Sequence, residues 1–352
     1  MALSAVSGVR FSGVGACVPR NIGRISDYKA FTPEAAERFT KQTGIAERRM
    51  APAGMSASDM CAAAAERLLE ELRWGKGEIE GLFYVSQSPD YPLPSTACIL
   101  QDVLGLPKSC MALEISYGCS GYVYGLAVAA SMVSAMKLKK VLLLVGEKTL
   151  AQHSESNTAF WPLFGDAGSA TALEFDAAAP DMFFDLCSDG SGKDCIIRRA
   201  GGIRHPFEAS DLEFSVELEN GGKMRPVDCY LDGPAIMEFT IREVKPSVVR
   251  ALKLAGKSAD DIDLFFAHQA NRIINETARK MLKIPPEKTP CSIDKFANTS
   301  GVSIPLTMAA RSADALKSGK SLNLLSGFGV GLSWGSAVIE TDGIAVPPLV
   351  EI

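Results

Sequence analysis

Three side chains in this 352-residue sequence stand where an apolar run gives way to a turn: Cys119, His268 and Asn298. Cys119 lies in Ser116-Tyr-Gly-Cys-Ser-Gly-Tyr122, a glycine-flanked passage from a strand pattern into a helix pattern. A thiol at a helix N-terminus faces the positive end of the macrodipole and unpaired N–H groups, which draw its pKa down toward the thiolate. His268 closes an apolar run just before Gln269-Ala-Asn271. A neutral imidazole placed there donates from one ring nitrogen while a local group holds the other. Asn298, in Phe296-Ala-Asn-Thr-Ser-Gly301, offers an uncharged amide donor suited to a developing oxyanion. Singly, each residue has a plainer reading: a small buried hydrophobe, a satisfied core histidine and a turn residue.

The elements that must carry these residues repeat at an offset of roughly 180 residues, about half the chain. In the first half a helical pattern over 58–74 leads through a glycine turn into the apolar run 79–85. In the second, an amphipathic stretch over 240–254 leads through Ala255-Gly256 into 262–268. Downstream, the segment ending Ser116-Tyr-Gly-Cys119 lies against the one ending Ala297-Asn-Thr-Ser300, each reading as a short strand, a turn and then a helix. The helices, 121–136 and 302–315, are each followed by a lysine and glycine turn and another apolar strand. Apolar strands alternating with helices predict parallel sheets covered on both faces. The pattern therefore predicts an α/β protein of two duplicated halves, 1–177 and 178–352, related by a pseudo-twofold. Ligands of such sheets bind beyond the carboxyl ends of strands, so one cleft between the halves would collect all three residues. The stretch 176–227, rich in glycine and charge, reads as a loop or flap.

Composition removes other classes. With 47% hydrophobic and 22% charged residues the chain can bury a large core. A net charge of −5 argues against nucleic acid as partner. Nine scattered cysteines without a C-x-x-C pair fit reduced thiols in the cytoplasm and disfavour a disulfide framework or a zinc site, so no metal is expected. The most apolar stretch, 121–145, is interrupted by Lys137, Lys139 and Lys140 and reads as a buried helix and strand, not a membrane span. The N-terminus lacks the basic and apolar regions of a signal peptide. Gly327-Phe-Gly-Val-Gly331 precedes a strand, not a helix, so it is no dinucleotide fingerprint.

In order along the chain, Thr43-Gly-Ile-Ala-Glu-Arg-Arg49, Ser88-Pro-Asp-Tyr-Pro-Leu-Pro-Ser-Thr-Ala97, Gly118-Cys-Ser-Gly121 and Leu163-Phe-Gly-Asp-Ala-Gly168 are followed by further motifs. These are His268-Gln-Ala-Asn271, Ile284-Pro-Pro-Glu-Lys288, Asn298-Thr-Ser-Gly-Val-Ser-Ile-Pro305 and the Gly-Phe-Gly loop with Trp334-Gly335. Together they closely resemble the β-ketoacyl-ACP synthase III family over nearly the whole chain. The resemblance implies a thiolase-like fold, a layered αβαβα body, and a homodimer with no cofactor beyond its CoA thioester substrates. It implies that Cys119 takes an acyl group from acyl-CoA. His268 and Asn298 would then stabilise the enolate formed as malonyl-acyl carrier protein loses CO2, and that carbanion would attack the Cys119 thioester to give a 3-oxoacyl product. The oxyanion hole would use the backbone N–H groups of Cys119 and Val330, with Phe328 beside the nucleophile.

The chain departs from the family at substrate positions. Arg38 stands where a CoA-holding tryptophan is frequent, and Gln42 where an arginine is usual. An arginine common five residues after the histidine is displaced by one, to Arg272, beside Asn271. Leu93 occupies a spot the family often gives to a larger aromatic near the acyl pocket and dimer interface. Arg38, Gln42, Leu93, Asn271, Arg272 and Phe328 are accordingly the expected substrate contacts. The excess length between Cys119 and His268 falls in 202–227. Two other readings share these residues: an acyltransferase or ketosynthase of specialised metabolism with another acyl acceptor, and a non-catalytic partner subunit.

Overall fold

The computed structural model describes residues 2–217 and 223–352. Two mixed sheets sandwich a pair of central helices. One sheet runs Val350–Glu351, Val9–Val18, Ala167–Phe175, Lys140–Glu147, Gly81–Val85, Met111–Ile115. The other runs Ala2–Val6, Met182–Ser188, Ser333–Asp342, Lys320–Gly329, Leu264–Ala267. The terminal strands are exchanged: Ala2–Val6 pairs with Met182–Ser188 in the second sheet, and Val350–Glu351 pairs with Val9–Val18 in the first.

The central layer consists of Gly121–Met136 and Ser303–Arg311. Gly121–Met136 is apolar on every side, as a helix covered all round must be. Tyr122, Val123, Leu126 and Val133 join inward residues of both sheets, such as Phe83, Leu143, Phe184 and Leu325, in one core. Each such side chain removed from water contributes about 1.5–3 kcal/mol. Gly125 permits the close approach, since a Cβ there would lie 2.6 Å from a Val85 methyl. Ala57–Leu72 covers the outer face of the first sheet, and Gly233–Leu254 with Arg272–Leu282 covers that of the second. The five layers are the thiolase-like αβαβα stack that the family resemblance implies.

Three expectations change. The sheets are mixed: Gly81–Val85 runs parallel to both its neighbours and Leu264–Ala267 runs parallel to Lys320–Gly329, but the remaining central pairs are antiparallel. Periodicity reports burial on both faces and is blind to direction. Within the stretch read as a loop, Met182–Ser188 is a central strand, its apolar Met182 and Phe184 turned into the core. The inserted segment 202–227 holds only a helical turn, Ala209–Leu212, and the short pair Val216–Glu217 and Lys223–Met224, while 218–222 lie outside the described residues. Finally, the repeat counterpart of strand Met111–Ile115 is no strand but a helical turn, Ile293–Phe296, tied down by Arg311–Asp294 and Lys295–Glu47 ion pairs.

Candidate active site

Helix Gly121–Met136 begins two residues after Cys119, with Ser120 as its N-cap residue held 2.7 Å from Ser333 Oγ. The turn is crowded enough to require its glycines. A Cβ on Gly118 would sit 2.3 Å from Gln87 Oε1, and one on Gly329, at φ +154, would sit 2.9 Å from the Cys119 sulfur. A backbone hydrogen bond from Val330 reaches that sulfur, and Ser300 Oγ lies 4.0 Å from it. Burial nevertheless dominates and pushes the Cys119 thiol up to about 11, with the Val330 and Ser300 hydrogen bonds opposing it. The expectation of a depressed pKa is thereby corrected: among the described residues no cation offsets the loss of water.

His268 follows strand Leu264–Ala267 and its backbone N–H donates to Ser326 at 2.8 Å, continuing the pairing with Lys320–Gly329. Its ring is buried, which drives the pKa down to about 4 against a backbone hydrogen bond with Ser300 that raises it. The imidazole is therefore neutral near pH 7. Nδ1 lies 2.8 Å from Ser303 Oγ, and that oxygen accepts the Gln269 N–H at 3.2 Å. With the Ser303 hydrogen directed to Nδ1, the imidazole proton stands on Nε2 as a donor. Phe328 meets the ring edge to face, centroids 5.6 Å apart.

Asn298 is threaded between residues of the first half. Its N–H donates to Leu163 O at 3.0 Å and its carbonyl accepts from Gly165 at 3.0 Å, which explains the Leu163-Phe-Gly motif. Its Oδ1 accepts the Ser300 N–H at 2.8 Å, so the amide NH2 is free to donate elsewhere. Ala297 and Ser300 both have left-handed φ, 57° and 52°. Such backbone costs about 1–3 kcal/mol per residue and is held by its surroundings at functional sites. Ser300 is therefore the meeting point: its hydroxyl is turned to Cys119, its N–H to Asn298, and its backbone to the His268 ring. Sequence reasoning named its neighbours and passed over it, although it occupies the repeat position of Cys119, 181 residues on.

A cavity of about 920 Å³ opens from Cys119, Ser300 and Val330. Its walls include Phe160, Phe164, Ile196, Ile197, Leu93, Glu147, His153 and Arg198. Leu93 sits at the mouth, 85% exposed. Glu147, buried, is pushed up to about 7 by desolvation and accepts from Gln87 N–H and Ser88 Oγ. The other expected substrate contacts are outside this wall. Arg38 and Gln42 are exposed on helix Pro33–Thr43, and Arg272 packs against Gly44 at the end of that helix. Asn271 caps Arg272–Leu282, its side chain accepting the Ile274 N–H at 2.9 Å. Phe328 backs His268 and does not line the cavity. Among the described residues no group of three or more His, Cys, Asp or Glu converges as metal ligands, and no helix is long and apolar enough to cross a membrane.

Residues 113–190 match the family described as 3-oxoacyl-[acyl-carrier-protein (ACP)] synthase III, and 252–341 match that family's C-terminal part. A β-ketoacyl-[acyl-carrier-protein] synthase III of Rhodopirellula baltica is 34% identical over 356 residues, covering 95% of this chain and 99% of its own. One from Roseiflexus is 34% identical over 334 residues, covering 94% of this chain and 97% of its own. The crystal structure of a 3-oxoacyl-(acyl-carrier protein) synthase from Burkholderia xenovorans superposes with a TM-score of 0.93 at 35% identity, over 99% of each chain.

Proposed function

The chain belongs to the 3-oxoacyl-[acyl-carrier-protein] synthase III family of thiolase-fold acyltransferases, and on that premise we propose that it joins an acyl group carried by Cys119 to a malonyl thioester on acyl carrier protein. In the first half-reaction the Cys119 sulfur adds to the carbonyl of an acyl-CoA, the tetrahedral intermediate collapses, and CoA leaves as its thiol. The hydrogen bond that Val330 now gives the sulfur would pass to the oxyanion, beside the Cys119 N–H.

In the second half-reaction the malonyl carboxylate departs as CO2, and its bonding pair becomes an enolate on the thioester. His268 Nε2–H and the Asn298 amide would hold that oxygen without adding charge. The enolate carbon then attacks the acyl carbonyl and expels the Cys119 thiolate, which recovers a proton. The observation that carries this reading is Ser300, which ties the nucleophile of one half to both donors of the other. A covalent intermediate requires ping-pong kinetics. Intact mass spectrometry after incubation with short acyl-CoAs should find one acyl group per chain, absent in Cys119→Ala, and no adduct from any donor would end the proposal.

Finer points stand on the same footing. We propose a homodimer through the exposed edge of Met111–Ile115, where Leu113, Tyr91 and Leu93 leave apolar surface uncovered. The chain would divide near residue 177 into a half bearing the nucleophile and a half bearing His268 and Asn298. Nine free cysteines favour a reducing compartment, the cytoplasm. Arg38 and Gln42, exposed on one helix face a turn apart, favour as second reading a specialised acyltransferase with a different grip on its donor.

A further inference from the structure

The wall of the cavity opening from Cys119 is not uniformly apolar. His153 lies against Phe160 with centroids 4.3 Å apart and the rings tilted by 53°, and Phe160 stacks on Phe164 at 4.2 Å. Phe164 pairs through its backbone with Asn298, so this aromatic run joins His153 to the Asn298 segment. His153 Nδ1 accepts the Cys229 N–H at 3.1 Å and faces Asp228 at 3.9 Å. Asp228 itself is engaged by Arg225 and the Ser154 N–H. With Nδ1 an acceptor, the neutral ring carries its proton on Nε2, and no described residue accepts it. Burial keeps the ring neutral near pH 7 against the opposing charge of Asp228, and the positive charges of Arg198 and Arg225 act in the same direction as burial.

The carboxylates in the same wall are already occupied. Glu147 accepts from Gln87 and Ser88, and Glu114 from Ser95, Thr96 and Ala97. His153 thus offers a donor in the wall of the cavity that opens from Cys119. His153 lines the cavity, and an oxygen on the acyl chain would accept the Nε2–H. Arg198 lines the same wall and adds positive potential there.

Resting on the acyl-transfer reading above, we propose that the preferred acyl group bears an acceptor oxygen several bonds from its thioester, a hydroxyl or a carboxylate, and that His153 Nε2–H selects it. The test presents the CoA thioesters of butyrate and hexanoate in competition with their terminally hydroxylated and carboxylated counterparts, and reads the masses of Cys119 adducts at early times. The wild-type chain should favour an oxygenated member, and the two oxygenated arms tell a hydroxyl from a carboxylate. His153→Leu should shrink that preference by about tenfold to a hundredfold while plain chains still load. Arg198→Gln should lower the carboxylate arm alone.

A wild-type preference for plain chains overturns the proposal, and so does a preference that survives in a folded His153→Leu variant. The wild-type competition needs no variant, so misfolding cannot shelter the idea. Loading with plain chains only defeats the selection and leaves the acyl-transfer reading standing. Loading with none defeats that reading, and this proposal with it.

Discussion

Cys119 and Ser300 occupy equivalent places in the two halves, 181 residues apart, and their side chains meet at 4.0 Å. On the proposed mechanism these equivalent places have opposite chemical duties. On the first side the chain enters a sixteen-residue helix through small residues, so the sulfur stands at a helix start with room for a substituent. On the second side it passes through Ala297 and Ser300 in left-handed conformations into a one-turn helix, Ser300–Val302, before Ser303–Arg311 begins. That contorted entry spends the Ser300 N–H on Asn298 and places Ser303 under His268. The halves differ likewise at their edges: the first ends in the exposed strand Met111–Ile115, the second replaces that strand by a helical turn. On the proposed mechanism, one of these two facing helix starts carries the nucleophile and the other a set of neutral donors.

Making the two sides alike should break the comparison most completely. Cys119→Ser should abolish the acyl adduct and lower product formation by roughly a thousandfold or more, read by mass and by product assay. Asn298→Ala, and separately His268→Ala, should slow condensation by about a hundred- to a thousandfold while single-turnover loading of Cys119 changes only a fewfold. Equal losses in both steps would show that the donors are not confined to the second half-reaction.

Gly329→Ala would set a methyl within 2.9 Å of the sulfur at φ +154, and should slow loading about a hundredfold with little change in substrate binding. A thiol pushed up to about 11 is mostly protonated at neutral pH. Its reactive fraction, and the single-turnover loading rate, should climb about tenfold per unit from pH 6 to 9. A plateau near pH 7 would mean that a neighbour takes the proton as the sulfur attacks. Ser300→Ala should have the smallest effect, under about tenfold on loading, because the hydroxyl touches the sulfur only at long range and the backbone contacts to Asn298 and His268 remain.

Much of the site could be read before any coordinates. Gly118 and Gly121 around Cys119 announce a turn that tolerates little beyond hydrogen, and the lone His268 after an apolar strand marks a carboxyl-end position. Met182–Ser188 escaped because its glycine-rich and charged surroundings outweigh seven residues in any window, and only pairing with Ser333–Asp342 and Ala2–Val6 makes it a strand. Ser300 escaped because a serine after Asn-Thr is ordinary turn chemistry. His153 was visible as one of three histidines, yet nothing local tells which of its nitrogens holds the proton.

The amino-acid order by itself determined the two α/β halves, the places of the strand-to-turn junctions and the chemical types set there, since apolar periodicity and glycine's freedom are properties of short segments. Tertiary structure alone decided strand direction, the exchange of the terminal strands, the upward drift of the Cys119 pKa, the contact of His268 with Ser303 and the polar wall at His153. Each of those depends on atoms brought from far along the chain, through water excluded and hydrogen bonds closed, and no segment read alone contains them.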